Sequence, residues 1–341
     1  MELIAYLDDN REWQKKDIGA QHLSCINYAF ANIINGEVQR PLKKIHLINE
    51  LKTDYPQLKT CISIGGWGAD GFSDAVLTVE SRRKLIDSLL AYMEQYHFDG
   101  VDLDWEYPKL DVAGIKARQE DSENLLLLLK EIRQAFTSLE AKNKRNYLLT
   151  IAVGAAPDLL ETTATSQGHE YAAYLDYINI MTYDMRGSFT HTTGHHTNLY
   201  SYDQDDLLSA ETAVNQLLKA GIPKEKLVIG GAFYGRVWQG VHTMENNGLL
   251  QEARQPGNQA IDYNELKVLL KEHPENCFYD ETAESPYYCD GQQFISYEDQ
   301  RSLEAKARYV KQAGIRGFMY WEHSLDLSGS LFNALVKERE S

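Results

Sequence analysis

The chain is short of positive charge, cysteine and long apolar runs, and each shortage removes a class of function. Lys and Arg number 34 against 50 Asp and Glu, a net charge of −16 over 341 residues. Such a surface repels nucleic acid and anionic membranes, so neither is expected as a partner, whereas a neutral substrate is compatible with it. No apolar stretch is long enough to span a bilayer. Met1 runs almost directly into the apolar residues 3–7, with no basic leader and cleavage site between. The expectation is a cytoplasmic protein, or a secreted one whose signal is absent from this sequence. The four cysteines show no metal spacing and no disulfide framework. Cys25 and Cys61 sit in apolar runs and read as core thiols, and Cys277 and Cys289, flanking a turn-rich segment, are also read as thiols.

What the chain does have is an ordered alternation. Its composition is 43% hydrophobic, enough for a substantial core. Strand-like runs fall at 3–7, 23–30, 59–64, 100–104, 147–153, 177–183, 227–233 and 316–321. Between them lie patterns with apolar residues at three-to-four spacing, at 42–51, 81–96, 120–139, 207–220 and 298–312. Eight strand and helix units on one chain point to an α/β fold, a closed (β/α)8 TIM barrel, rather than an open doubly wound sheet. One interval breaks the rhythm: 238–297 is far too long for an ordinary loop and carries its own helical pattern and aromatics. It reads as a small α+β insertion between the seventh and eighth strands, leaving 1–237 and 298–341 as the barrel, and a monomer is expected.

Within the fourth strand, Asp99-Gly-Val-Asp102-Leu-Asp104-Trp-Glu106-Tyr-Pro108 sets three acids at every second position. A strand turns alternate side chains to one face, so Asp102, Asp104 and Glu106 share a face, with neighbouring Cα atoms roughly 7 Å apart. Alternation alone would also suit an edge strand with its acids in water. A closed barrel has no edge strand, and inside one the three carboxyls cannot all ionise freely, so at least one pKa should rise. Other unusual residues follow the same rule of place: Ser63-Ile-Gly-Gly66-Trp67, Met181-Thr-Tyr183-Asp184, Tyr234-Gly-Arg236 and Trp321-Glu322 all end strands. In a barrel those ends converge on one mouth, where such folds carry their chemistry. Gly66-Trp67-Gly68-Ala-Asp-Gly71 matches a dinucleotide-binding pattern, but Trp67 is too bulky for a loop that must approach a pyrophosphate. His191, His195 and His196 lack the spacing of a metal set and read as a polar loop. No cofactor or metal is called for.

The run DGVDLDWEYP, with SIGG before it and MTYD after it, resembles glycoside hydrolase family 18, the chitinases and their relatives. Asp99, Asp102, Asp104 and Glu106 meet its DxxDxDxE pattern, Ser63 to Gly66 its SxGG, and Trp321 its late aromatic; Tyr6-Leu7-Asp8-Asp9 departs from the paired aromatics common on its first strand. The resemblance implies a retaining, metal-independent, endo-acting chitinase on N-acetylglucosamine polymers or oligosaccharides, in which the substrate's own 2-acetamido oxygen is the nucleophile. It implies Glu106 as acid and then base, Asp104 as holder of the acetamido group, Asp102 as its proton-sharing neighbour and Tyr183 as donor to the acetamido oxygen. Asp184 and Met181 would lie against the sugar and Trp321 beneath it, with Trp67, Tyr107, Tyr234, Arg236 and Trp238 lining the cleft and Trp105 either there or packed outward. An endo-β-N-acetylglucosaminidase of N-glycans or peptidoglycan is the alternative enzyme. A chitinase-like lectin is the non-catalytic one, and such proteins typically lack the acid that Glu106 supplies here.

Overall fold

The computed structural model describes residues 1–202 and 205–341. The strands run in chain order as β1 (Glu2–Asp8), β2 (Cys25–Ile34), β3 (Glu37–Gln39), β4 (Lys59–Gly65), β5 (Gly100–Asp104), β6 (Leu148–Gly154) and β7 (Tyr177–Met181). They continue as β8 (Leu227–Ala232), β9 (Tyr234–Val241), β10 (Ala253–Asp262), β11 (Cys277–Asp280), β12 (Ser285–Cys289), β13 (Gln293–Ser296) and β14 (Gly317–Trp321). Eight of these are parallel neighbours in the order β1, β2, β4, β5, β6, β7, β8, β14, and β14 pairs back to β1, which closes the barrel. β3 is a hairpin return from the overlong β2. All eight expected strands are present.

Closure explains why these strands read as nearly continuous apolar runs: both faces are covered, one by the barrel interior and one by helices. Every residue of β5, β7 and β8 is buried. The outer layer includes helices Ile45–Asp54, Val79–Tyr96, Asp121–Asn143, Ala210–Lys219 and Gln300–Ala313. Their starts follow local chemistry. Thr78 and Ser81 form a reciprocal capping box at the second of these, and Asp299 with Ser302 does so at the last. A C-terminal helix, Ser330–Glu340, was not expected from the sequence. All four cysteines are free, with Cys25 and Cys61 Sγ atoms 3.8 Å apart inside the barrel. No helix among the described residues is long and apolar enough to cross a membrane.

The remaining strands form an antiparallel sheet, β10-β9-β13-β12-β11, carrying helix Tyr263–Glu272. It has a core of its own, built from Trp238, Val241, Leu249, Ala253, Tyr287, Cys289 and Phe294. Its first strand opens at Tyr234, immediately after β8, so Trp238 lies within β9. The sheet is tied to the barrel by a charged joint. Glu298 and Lys306, both with fully buried side chains, pair with each other. Thr197, in the segment after β7, donates to Glu298 at 2.9 Å and accepts from Lys306 at 2.8 Å.

Two charges taken out of water are tolerable only together. Lys306→Ala, which strands Glu298, should therefore cost about 3–5 kcal/mol in denaturant unfolding, whereas Glu298→Leu combined with Lys306→Met should cost far less.

Candidate functional site

The acidic run leaves the barrel at the end of β5, and its surroundings differ residue by residue. Asp102 is fully enclosed and saturated. Tyr6 of β1 and Ser63 of β4 donate to its Oδ2 at 2.7 and 2.9 Å, and Thr150 of β6 and Asn179 of β7 donate to its Oδ1 at 2.6 and 3.1 Å. Burial pushes the Asp102 carboxyl up, and these four donors work against that shift. Asp104, nearer the mouth, is buried too, yet its Oδ1 has no hydrogen-bond donor among the described residues. Burial first, then the charges of Glu106 and Asp102, push it well above the carboxylate range. Glu106 is half-buried beside Tyr107, and burial with the nearby charge of Asp184 raises its pKa to about 7.

Glycine makes room for this arrangement. Gly65, at φ +116°, lies so close to β5 that a Cβ there would come 2.0 Å from the Asp104 carbonyl oxygen. The Gly66 N–H donates to that same carbonyl at 2.9 Å. On the opposite wall Gly230 leaves space for the Tyr183 ring, which a Cβ would meet at 2.7 Å. Tyr183 is buried at the end of β7 and directs its hydroxyl within 3.8 Å of the Met319 sulfur.

Asp184 behaves oppositely to Glu106. It takes a left-handed backbone, φ 55°, and its carboxylate is clasped by Arg236, Nε to Oδ1 at 2.6 Å and Nη2 to Oδ2 at 2.7 Å. His196 Nδ1 accepts the Asp184 N–H at 3.3 Å and lies 3.5 Å from Oδ1. Burial works to raise Asp184, but the His196 and Arg236 contacts outweigh it and hold the carboxyl well below its usual range. Arg236 reaches the site from β9, the first strand of the insertion, passing over the Tyr234 ring.

Trp321, at the end of β14, is flanked by Phe30 stacked at 5.3 Å and Tyr6 tilted at 5.6 Å. Trp67, on the loop after β4, is 56% exposed. Met181 and Tyr234 are buried, Tyr234 edge-on to Tyr183 at 6.4 Å. Two aromatics lie elsewhere. Trp105 is buried and stacked on Phe72 at 5.1 Å. Trp238, expected as a cleft candidate, is 0% exposed in the insertion core, with its indole N–H donating to the Thr190 carbonyl at 2.8 Å. The correction has a simple cause, since alternation along β9 turns Trp238 toward the antiparallel sheet's own core.

Sequence reasoning missed Tyr6, Thr150, Asn179, Phe30 and His196. A signal existed for three of them: Tyr6, Thr150 and Asn179 are polar groups within strands covered on both faces, where each needs an inward partner. His195 and His196, read as part of a polar loop, are both fully buried, and His195 pairs with Asp280 at 3.1 Å. No group of His, Cys, Asp and Glu among the described residues is arranged to hold a metal ion.

A barrel mouth holding one carboxyl tuned near neutrality beside another locked as a carboxylate is arranged for proton transfer next to a fixed charge. The chain is a member of the glycosyl hydrolases family 18, whose family model matches residues 2–326. It is 35% identical to Chitinase A1 of Niallia circulans over 85% of its own length, spanning 44% of that protein. Among solved structures it resembles a glycoside hydrolase family 18 N-acetylglucosaminidase from Paenibacillus barengoltzii, at 38% identity and TM-score 0.90 over 99% of each chain. It also resembles a class V chitinase from Nicotiana tobaccum solved in complex with NAG4, at 26% identity and TM-score 0.85, covering 98% of this chain and 97% of that one.

The contact of Gly65 with the Asp104 backbone gives a direct check on the mouth. Gly65→Ala should cost about 2–4 kcal/mol in thermal unfolding, through its positive φ and the displaced end of β5, and should reduce turnover in the protein that remains folded.

Proposed function

We propose that the protein hydrolyses β-1,4 linkages between N-acetylglucosamine units, in chitin or its oligosaccharides, with retention of configuration. The observation that carries this reading is the unequal state of the three acids on and just beyond β5: Asp102 saturated, Asp104 buried with an unpaired acceptor, Glu106 poised near neutral. An ordinary retaining glycosidase needs a second carboxylate about 5 Å from the acid, across the bond. Asp102 and Asp104 lie on the strand that leads into the acid, on its own side of the bond, and Asp184 is clamped in both oxygens by Arg236. The nucleophile is then the substrate's 2-acetamido oxygen. The Asp104 carboxyl turns toward the mouth to accept the acetamido N–H, Tyr183 donates to the acetamido oxygen, and that oxygen bonds to the anomeric carbon. As the bond to the leaving sugar breaks, Glu106 gives its proton to the leaving oxygen. Glu106, now ionised, takes a proton from water, which reopens the cyclised intermediate from the face the leaving group vacated. Trp321 supplies the apolar floor beneath the sugar being cut, and Met181 and Tyr234 complete its wall. The complex of the Nicotiana tobaccum relative with NAG4 supports the substrate class.

Glu106→Gln removes the transferable proton and keeps the shape. Turnover of a chitin oligomer should fall by about 100- to 10,000-fold while binding by calorimetry persists, and near wild-type turnover would overturn the assignment. The pH dependence has a defined sign. Glu106 must enter the reaction protonated, so activity should decline as pH rises through about 7. Asp184→Asn deletes a neighbouring negative charge, so this basic limb should move to lower pH in single-turnover measurements.

A further inference from the structure

The two sides of the mouth are built differently. Trp321 ends β14, and β5, which leads into Glu106, lies four strands away around the barrel, on the opposite wall. On the proposed function, on which this inference rests, the sugar being cut lies on Trp321 and the bond to the leaving group faces Glu106. The leaving portion therefore runs toward the loops after β4 and β7, and the non-reducing portion runs the other way, past the ends of β1 and β2. The leaving side offers free aromatic faces, Trp67 at 56% and Phe189 at 83% exposure. On the other side Trp13, Tyr28 and Tyr263 are buried, and the half-buried Phe30 has its ring engaged by Trp321.

In place of stacking faces, that side carries a chain of polar links. Arg40 donates from Nη1 to the Phe30 carbonyl at 2.8 Å, beneath the ring that stacks on Trp321, and from Nη2 to Asn10 Oδ1 at 2.6 Å. Lys43 Nζ donates to the same Asn10 oxygen at 2.9 Å. The next residue, Arg11, donates to Asp262 Oδ2 at 2.7 Å. Asp262 pairs across the sheet with Tyr234, and its neighbour Tyr263 donates its N–H to the Phe233 carbonyl at 3.1 Å. Phe233 in turn donates its N–H to the Trp321 carbonyl at 2.8 Å. The links thus run from the end of β2 through Asn10 and Arg11 to the end of β8, enclosing the ends of β1 and β14. Asp9 roots the loop, fully buried and accepting the backbone N–H groups of Lys43 and Lys44 at 2.9 and 3.0 Å.

We propose that this collar closes the non-reducing end of the cleft, so that the enzyme works from that end of the chain and releases one or at most two N-acetylglucosamine units per cut. Asn10, Arg11, Arg40, Lys43 and Asp262 are its specificity-determining residues. The mode differs from the internal cleavage that family resemblance implies. It makes the enzyme a consumer of the short oligosaccharides that an internally cutting hydrolase supplies.

The test uses a chitin hexamer tagged at its reducing end, sampled at low conversion and read by mass spectrometry. End action gives an untagged monomer or dimer and a tagged chain shortened by the same step. Untagged trimers or longer pieces at the first time point overturn the collar and leave the hydrolase reading standing, whereas no cleavage at all overturns the hydrolase reading itself. Arg11→Ala removes one exposed arm of the collar at little risk to folding, and untagged trimers should then appear. A product pattern unchanged in both Arg11→Ala and Lys43→Ala would overturn the role given to these side chains.

Discussion

The desolvation of three carboxyl groups along β5 and the residues that leave it is the constraint from which the rest of the mouth follows. Placed inside a barrel, Asp102, Asp104 and Glu106 each lose water that a charged form needs, and the interior must compensate or the groups must stay protonated. Asp102 is compensated by donors from β1, β4, β6 and β7, four of the barrel's seven other strands. That demand couples a single carboxylate to the register of the sheet. Ser63 and Thr150 stand directly opposite Asp102 in the two neighbouring strands, so a slip of either by one residue would turn its hydroxyl out of the barrel. The enclosed carboxyl is therefore a fold-level commitment as much as a local one.

The insertion is bound into the same electrostatics. Arg236 comes from its first strand and completes the clasp on Asp184, and Glu298, at its exit, meets Lys306 and Thr197 in a dry joint. Entry and exit strands are thus both fixed by charges that need the barrel for a partner. The loop after β7 is gripped between them, because it supplies Asp184, His196 and Thr197. Displacing the insertion would break both the Arg236–Asp184 pair and the buried Glu298–Lys306 pair, and the second is the costlier because neither of its charges reaches water.

Much of this was legible in the chain, for identifiable reasons. The barrel strands stand out because parallel strands covered on both faces read as short apolar runs, and the alternation at 102–106 is unambiguous because its acids interrupt one such run. The glycines at 65 and 66 were visible as a motif, but the 2.0 Å approach that requires Gly65 was not, since it depends on how β4 and β5 lie together. Partners distant in sequence were illegible for the same reason: Tyr6 and Asn179 are separated from Asp102 by 96 and 77 positions. Trp238 shows the opposite failure. A tryptophan after a barrel strand suggests a cleft, but β9 belongs to another sheet whose core claims it. His196 was passed over because a histidine in a polar stretch carries no sign of the Asp184 backbone it will accept from.

Asp184 and Glu106 show why the mouth needs both kinds of environment. Each is a carboxyl at the mouth of the same barrel, yet one is held ionised by a guanidinium and an imidazole while the other is lifted toward neutrality. The lift on Glu106 comes first from burial and then from the fixed negative charge of Asp184. Arg236 therefore acts on both at once: by keeping Asp184 charged it sustains the field that keeps a proton on Glu106, although its own positive charge, drawn into the bidentate pair, offsets part of that field at longer range. Two carboxyls pushed apart in this way hold and lose a proton over different pH ranges, and the difference lies in their surroundings rather than in the carboxyl group itself. The division is written in which strand supplies the neighbour, β9 for Asp184 and, among the described residues, none for the buried Asp104 Oδ1, which is left without the donor that would favour its charged form.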